Sequence, residues 1–299
     1  MNMQSMKTKL LFPVKGKYIF LIYILIPVFS GIASATIWSD KSKMQSLGPL
    51  SITMASYVII SLLLVKMALD EKIDMLKLIG RFPTLKEIKK TMPMIVPLIA
   101  LVSYGLVWLV YWPLTFIFPG FVQSCLSENL TIFFPNGSLL LNTISFLSVV
   151  IIIPMVEEFI FRGLLLTRWS SKWGIKRAVL ITSILFGILH GPTMVSITFM
   201  GLVFALIYIK TRSLIIPILL HALNNMFVFL LDSLRANDAA TAFSVSDFQN
   251  EWWIGVLGLL IGIPWLIYFI RKNWLTDGMK IPYFENIRVE INLTNNISV

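Results

Sequence analysis

An all-α, polytopic membrane helical bundle with about eight transmembrane helices is the fold class this sequence predicts. Three observations carry it. The 299-residue chain is 57% hydrophobic and 13% charged, with mean hydropathy +0.82, whereas a soluble domain has a charged share near a quarter. Its long apolar runs each approach the length that crosses a ~30 Å hydrocarbon core. Its basic residues collect in alternate short loops between those runs, which is how orientation is set in a bilayer. The evenly spaced alternating strands of a porin are not visible.

The spanning segments fall at roughly 18–38, 49–69, 94–118, 139–166, 178–190, 194–209, 214–232 and 252–270. The first follows a long basic lead-in and reads as an uncleaved helix. Ala33-Ser34-Ala35 imitates a signal-peptidase site and keeps a cleaved leader as the alternative. Between the second and third, residues 71–92 mix basic side chains with Leu76, Ile79, Leu85, Ile88 and Met92. They read either as a loop lying along the cytoplasmic surface against anionic lipid or as a solvated linker. The fourth segment is long, and Pro154 lies just before Glu157-Glu158, where loss of a backbone hydrogen bond predicts a kink. The fifth and sixth are short and joined by Gly191-Pro192, a turn signal that predicts a hairpin. Trp38, Trp112, Trp252 and Trp253 suit interfacial anchoring. Three regions follow: an N-terminal three-helix region at 1–138, a core at 139–232, and a final helix with tail at 233–299.

Of the 25 Lys and Arg, 20 fall in the N-terminal tail, the 70–91, 167–177 and 210–213 loops and the C-terminal tail. Three fall in the opposite set of loops, while Lys66 and Arg162 lie within segments. That bias predicts both termini in the cytoplasm of a multi-pass protein. The same placement argues against nucleic acid as the reason for the net charge of +10. Cys125 is the only cysteine, which excludes an intrachain disulfide and a thiolate metal cluster. Asn129, Asn136, Asn292 and Asn296 begin glycosylation sequons, relevant only in a glycosylating compartment.

Ionisable groups cost about 2.5 kcal/mol or more at the bilayer centre, so those present usually face an interior cavity. Here they form three clusters: Glu157-Glu158-x-x-x-Arg162, Phe186-x-x-x-His190 and His221-x-x-x-Asn225, the last two holding the only histidines. Counted from the basic flanks at ~1.5 Å per residue, Glu157, His190 and His221 lie roughly 16, 20 and 13 Å deep. Three helices thus bring a carboxylate and two imidazoles to similar depth. Glu158 and Arg162, four apart and acid first, are predicted to pair, leaving Glu157 about 100° around the helix. Phe186 shares a face with His190, and Gly187 and Gly191 form a small-x-x-x-small pair that admits another backbone.

These groups suit attack of water on an amide. A carboxylate beside an imidazole orients and deprotonates the water. A second imidazole N–H and the Asn225 amide then supply donors for the oxyanion. Zinc is the competing use, with Glu157, His190 and His221 as alternative ligands. Against it, His-x-x-x-Asn is not His-Glu-x-x-His, and the ligands would come from three helices.

The three motifs, in this order on successive apolar helices, resemble the signatures of the CPBP family of CAAX-processing and bacteriocin-processing intramembrane proteases, also called Abi or Rce1-like proteins. The resemblance covers roughly 139–232. It implies an endopeptidase that cuts membrane-bound protein or peptide substrates and requires no cofactor. Glu157 and His190 would activate water, and His221 and Asn225 would stabilise the oxyanion. Glu158, Arg162 and Phe186 would support the site. Members are commonly labelled metalloproteases, which keeps zinc open. The family also includes proteins linked to bacteriocin self-immunity, so an immunity or scaffold protein without required proteolysis is the second reading. A proton-coupled transporter is a third, without the inverted repeats or paired broken helices that would support it. Taken singly, Glu158–Arg162 reads as a buried ion pair that orients helices and Asn225 as an interhelical hydrogen bond.

Overall fold

The structure, a computed structural model, describes residues 47–127, 138–237 and 244–297, together with 18, 19, 21, 24 and 25. Apart from those five positions, the predicted first segment and its leader alternative lie outside the described residues, as do Asn129 and Asn136. Among the described residues the architecture is helical, and a single antiparallel bridge, Gly80 with Ser213, is the only strand-like pairing.

The helices run in chain order as α1 (Leu47–Asp70), α2 (Met75–Ile79), α3 (Leu85–Ile117) and α4 (Pro119–Ser127). Next come α5 (Leu139–Trp173), α6 (Ile175–Ile188), α7 (Met194–Thr211) and α8 (Ile215–Asn237). The chain continues through α9 (Val245–Asn250), α10 (Trp252–Asn273) and α11 (Pro282–Ile297). Four spans among the described residues are long and apolar enough to cross a membrane: α3, α5, Gly191–Thr211 and α10. The apolar stretch Ile215–Leu231 is shorter, and α6 has only 14 residues; it turns at Gly191-Pro192 into α7 as predicted, but the α7 arm is long enough to cross rather than short.

Helix α3 begins well before the predicted 94, because Thr84 and Glu87 build a reciprocal capping box at its start. Residues 71–92 are thus partly helical rather than a plain loop. They hold α2 and the first turns of α3, and α2 docks beneath the bundle. Tyr208 Oη donates to Leu78 O at 2.9 Å, Leu214 N to Ile79 O at 2.8 Å, and Asn286 Nδ2 to Lys77 O at 2.9 Å. The predicted C-terminal tail contributes α11 to this contact. Short helices α4 and α9 likewise occupy stretches expected to be plain loops.

Lipid is as apolar as leucine, so helix packing in a bilayer rests on close van der Waals fit and polar contacts. The α3–α10 seam shows this: a Cβ on Gly258 would lie 2.8 Å from Leu101 O, and one on Gly105 would lie 2.8 Å from Leu259 N. Helix α7 is the central rod, with every residue from 200 to 209 buried. Around it pack Phe161, Leu164 and Leu165 of α5, Phe186 of α6 and Leu220 of α8. Outside this core, the 190–193 turn is tied to α3 by Tyr111 Oη donating to Pro192 O at 2.7 Å.

Candidate active site

Helix α5 carries the acidic pair between two π-helical stretches, Leu147–Ile152 and Phe159–Leu165. Pro154 has no N–H to donate, and its ring collides with the carbonyl four residues back in regular α geometry. Widening the preceding turn into i→i+5 pairing relieves both problems, so the chain meets the proline with a π turn. Ile153–Glu158 then resumes as α-helix with Glu157 and Glu158 buried.

The predicted ion pair is present. Arg162 Nη1 donates to Glu158 Oε1 at 2.9 Å, and both side chains are almost fully enclosed. Arg162 also donates through Nη2 to Gly201 O at 3.2 Å, and its guanidinium lies 4.2 Å from the Phe186 ring centre. A Cβ at Gly201 would come within 3.1 Å of Nη2, so the missing side chain makes room for the cation. Glu158 is more than the partner of Arg162: the same Oε1 lies 3.0 Å from His221 Nδ1.

Glu157, 3% exposed, faces the other way. Its Oε1 accepts from Tyr57 Oη of α1 at 3.0 Å. Its Oε2 lies 3.8 Å from His190 Nε2 and 4.0 Å from His221 Nε2. The structure thus brings Glu157, His190 and His221 around one point from α5, the end of α6 and α8. The His190 ring is 26% exposed, against 3% for Glu157 and His221, so the centre is reached from the His190 side.

Tautomers follow from the partners. His190 Nδ1 is 2.6 Å from Phe186 O, and a carbonyl only accepts, so Nδ1 carries a proton and Nε2 is the nitrogen turned to the centre. His221 Nδ1 faces a carboxylate oxygen and is assigned its proton in the same way. Both rings therefore turn Nε2 toward Glu157. At 3.8 and 4.0 Å these contacts exceed direct hydrogen bonds, and the separation suits a water hydrogen-bonded among the three atoms. This refines the sequence reading, which wanted an N–H of His221 in the centre. That N–H is held by Glu158, and Nε2 donates only when the ring carries two protons.

Asn225 shares its helix face with His221, and its Nδ2 donates to Val149 O in the first π turn at 2.9 Å. One amide hydrogen thus locks α8 to α5, as the interhelical reading of Asn225 anticipates, and the second remains for chemistry. Phe186 is the hub. Its ring centre lies 4.6 Å from that of His190, 5.9 Å from His221 and 4.9 Å from Phe161. The glycine pair divides in role. A Cβ on Gly187 would sit 1.9 Å from Thr198 Oγ1 and 2.4 Å from Met194 O, which is the predicted close approach. Gly191 has open space around it and instead supplies a left-handed φ of +55° for the turn. Tyr57, Gly201 and Val149 O are parts of the site that sequence reading missed. None carries a local signal, since a tyrosine, a glycine or a valine is ordinary in an apolar helix.

An integral membrane protein with a buried carboxylate–imidazole centre is thus defined by fold and geometry together. Residues 139–227, which carry all of that centre except Tyr57, match the family described as type II CAAX prenyl endopeptidase Rce1-like and form an Rce1-like segment. Three curated proteins show the same likeness. YdiL of Bacillus subtilis, named for a membrane peptidase, is 35% identical over 80 residues, 26% of this chain and 33% of its own. An uncharacterized 24.3 kDa Escherichia coli protein is 32% identical over 85 residues, 26% and 39%. The membrane-embedded CAAX protease MroQ of Staphylococcus aureus is 28% identical over 106 residues, 33% and 43%. The chain therefore spans between 33% and 43% of the length of these relatives. No solved structure matches.

Proposed function

We propose that this protein is an intramembrane endopeptidase that hydrolyses peptide bonds of membrane-associated proteins or peptide precursors. The observation that carries the reading is the convergence of Glu157 Oε2 with the Nε2 atoms of His190 and His221 at 3.8 and 4.0 Å. The names of the Rce1-like family and of MroQ point to the same chemistry. In this reading a water donates one hydrogen to Glu157 Oε2 and the other to His190 Nε2, which aligns its lone pair with the substrate carbonyl. Attack forms the C–O bond as Glu157 takes the proton. Asn225 Nδ2–H and a doubly protonated His221, balanced by Glu158, stabilise the oxyanion. Glu157 then returns the proton to the amide nitrogen as the C–N bond breaks. Glu158, Arg162 and Phe186 hold the rings and helices in register.

Zinc has one observation in its favour. Both histidines place their second ring N–H on an oxygen, the usual outer-shell arrangement of a metal-binding imidazole. Yet among the described residues no three His, Cys, Asp or Glu side chains gather closely enough to hold an ion. No step of the proposed hydrolysis is routed through a metal. The protein would work in a cell membrane with both termini cytoplasmic, on substrates that reach the centre from the bilayer.

The test uses purified full-length protein in liposomes. Quenched fluorogenic peptides, one with a prenylated CAAX terminus and one with the same chain unprenylated, would be compared for wild type, Glu157→Ala and His190→Ala. Cleavage by wild type and loss of at least about a hundredfold in both variants is expected. Equal cleavage by all three overturns the reading.

A further inference from the structure

The acid at the centre is held by a helix outside the segment that matches the Rce1-like family. The match covers 139–227, whereas Tyr57 lies on α1, 100 residues before Glu157. We propose that Tyr57 is a positioning residue for Glu157 and that the site is incomplete without α1. The inference rests on the endopeptidase reading for its kinetic consequence, though not for its geometry.

Helix α1 has a one-sided packing pattern. Ser56, Ile60, Leu64 and Ala68 are buried, while Val58, Ile59, Leu62, Leu63 and Leu69 face outward. Tyr57 lies beside the buried stripe, partly covered, and sends its hydroxyl across to α5. Counted from Asp70 at the end of α1, it lies about 20 Å along the helix axis, comparable to the depth expected of Glu157. The contact is therefore level with the reacting groups.

A carboxylate has two oxygens and a freely turning terminal torsion. The phenol donates to Oε1, which fixes that torsion and leaves Oε2 toward His190 and His221. Without the hydroxyl, Glu157 keeps its burial but loses the contact that decides which oxygen faces the imidazoles. The consequence falls on turnover, because Tyr57 touches Glu157 rather than the reacting amide.

The experiment compares full-length wild type, Tyr57→Phe, Glu157→Asp and the double variant in liposomes. Phenylalanine keeps the ring that packs on α1 and removes only the donor. The first readout is hydrolysis of the fluorogenic CAAX peptide. The second needs no activity: the rate at which N,N′-dicyclohexylcarbodiimide, which reacts through a carboxyl oxygen that the phenol no longer holds, modifies Glu157, read by mass spectrometry. Tyr57→Phe is expected to lower kcat about tenfold with KM within about twofold, and to speed labelling several-fold. In the Glu157→Asp background, whose carboxylate falls short of the phenol, the same change is expected to alter kcat by less than about twofold. Equal labelling rates in wild type and Tyr57→Phe overturn the proposal whatever the turnover, and so does an unchanged kcat in an active preparation. A wild type that cuts no peptide defeats the endopeptidase reading, and the labelling rates still decide the role of Tyr57.

Discussion

Replacing Arg162 with methionine separates what holds this site together from what makes it react. The guanidinium is enclosed, bonded to Glu158 at 2.9 Å and to Gly201 O at 3.2 Å, and stacked 4.2 Å from the Phe186 centre. Methionine fills most of the volume but leaves Glu158 a buried anion whose Oε1 faces His221 Nδ1 alone of its two charged neighbours. Breaking one side of a buried pair costs about 3–5 kcal/mol, and loss of the stacked cation adds about 1 kcal/mol. The unfolding equilibrium should therefore shift by at least about a hundredfold. Tryptophan fluorescence during SDS titration in mixed micelles measures it. The informative partner is Glu158→Leu with Arg162→Leu, which removes both charges. Stability should return to within about 1–2 kcal/mol of wild type, because apolar replacement of a whole buried pair is often neutral. Hydrolysis should stay at least about tenfold down, because His221 has lost the carboxylate that fixes its tautomer. A loss under about 1 kcal/mol in Arg162→Met, or full activity in the double variant, would refute this reasoning.

The two glycines beside His190 should behave differently. Gly187→Ala drives a Cβ into Thr198 Oγ1 and Met194 O, so it should part α6 from α7, cost about 1–3 kcal/mol and abolish hydrolysis. Gly191→Ala meets no neighbour and strains only the left-handed turn, so it should cost about 1–2 kcal/mol and keep most activity. Chelator treatment should leave hydrolysis within about twofold, whereas a loss that zinc restores would give Glu157, His190 and His221 the ligand role. On the surface, the Lys176 ammonium holds the Asp277 carboxyl below its usual range. A depressed carboxyl stabilises the fold above its unfolded value and loses that contribution as pH falls through the folded one. Lys176→Met should therefore flatten the acid limb of the stability profile below about pH 4, by a small amount that added salt erases. Unfolding midpoints across pH at two salt concentrations check it.

Much of the site was legible because its signals are local. Glu158 and Arg162 are one helical turn apart and pair as acid-first order predicts. Phe186 and His190 share a face and their rings meet. Common depth, counted from basic flanks, anticipated that α5, α6 and α8 would bring Glu157, His190 and His221 together. What stayed hidden depends on tertiary contact. The approach of α1 to α5 determines Tyr57, and nothing between positions 57 and 157 announces it. The role of Val149 is a backbone matter, since any residue there offers the same carbonyl to Asn225. The second duty of Glu158 needed the angle at which α8 crosses α5, because spacing along α5 points it to Arg162 alone. Residues 71–92 carry too few apolar positions to show a helix, and the docking of α2 against Tyr208 and Asn286 is a tertiary contact that spacing does not reveal.

The most direct measurement is quantitative peptidomics of membranes from cells producing wild type or Glu157→Gln at equal levels. The substituted amide keeps the shape of the side chain and cannot take a proton from water. The account predicts a discrete set of new termini in membrane-associated chains that appear with wild type and are missing with Glu157→Gln. Identical peptide profiles in the two, with the protein folded and abundant in both, would contradict hydrolysis at this centre.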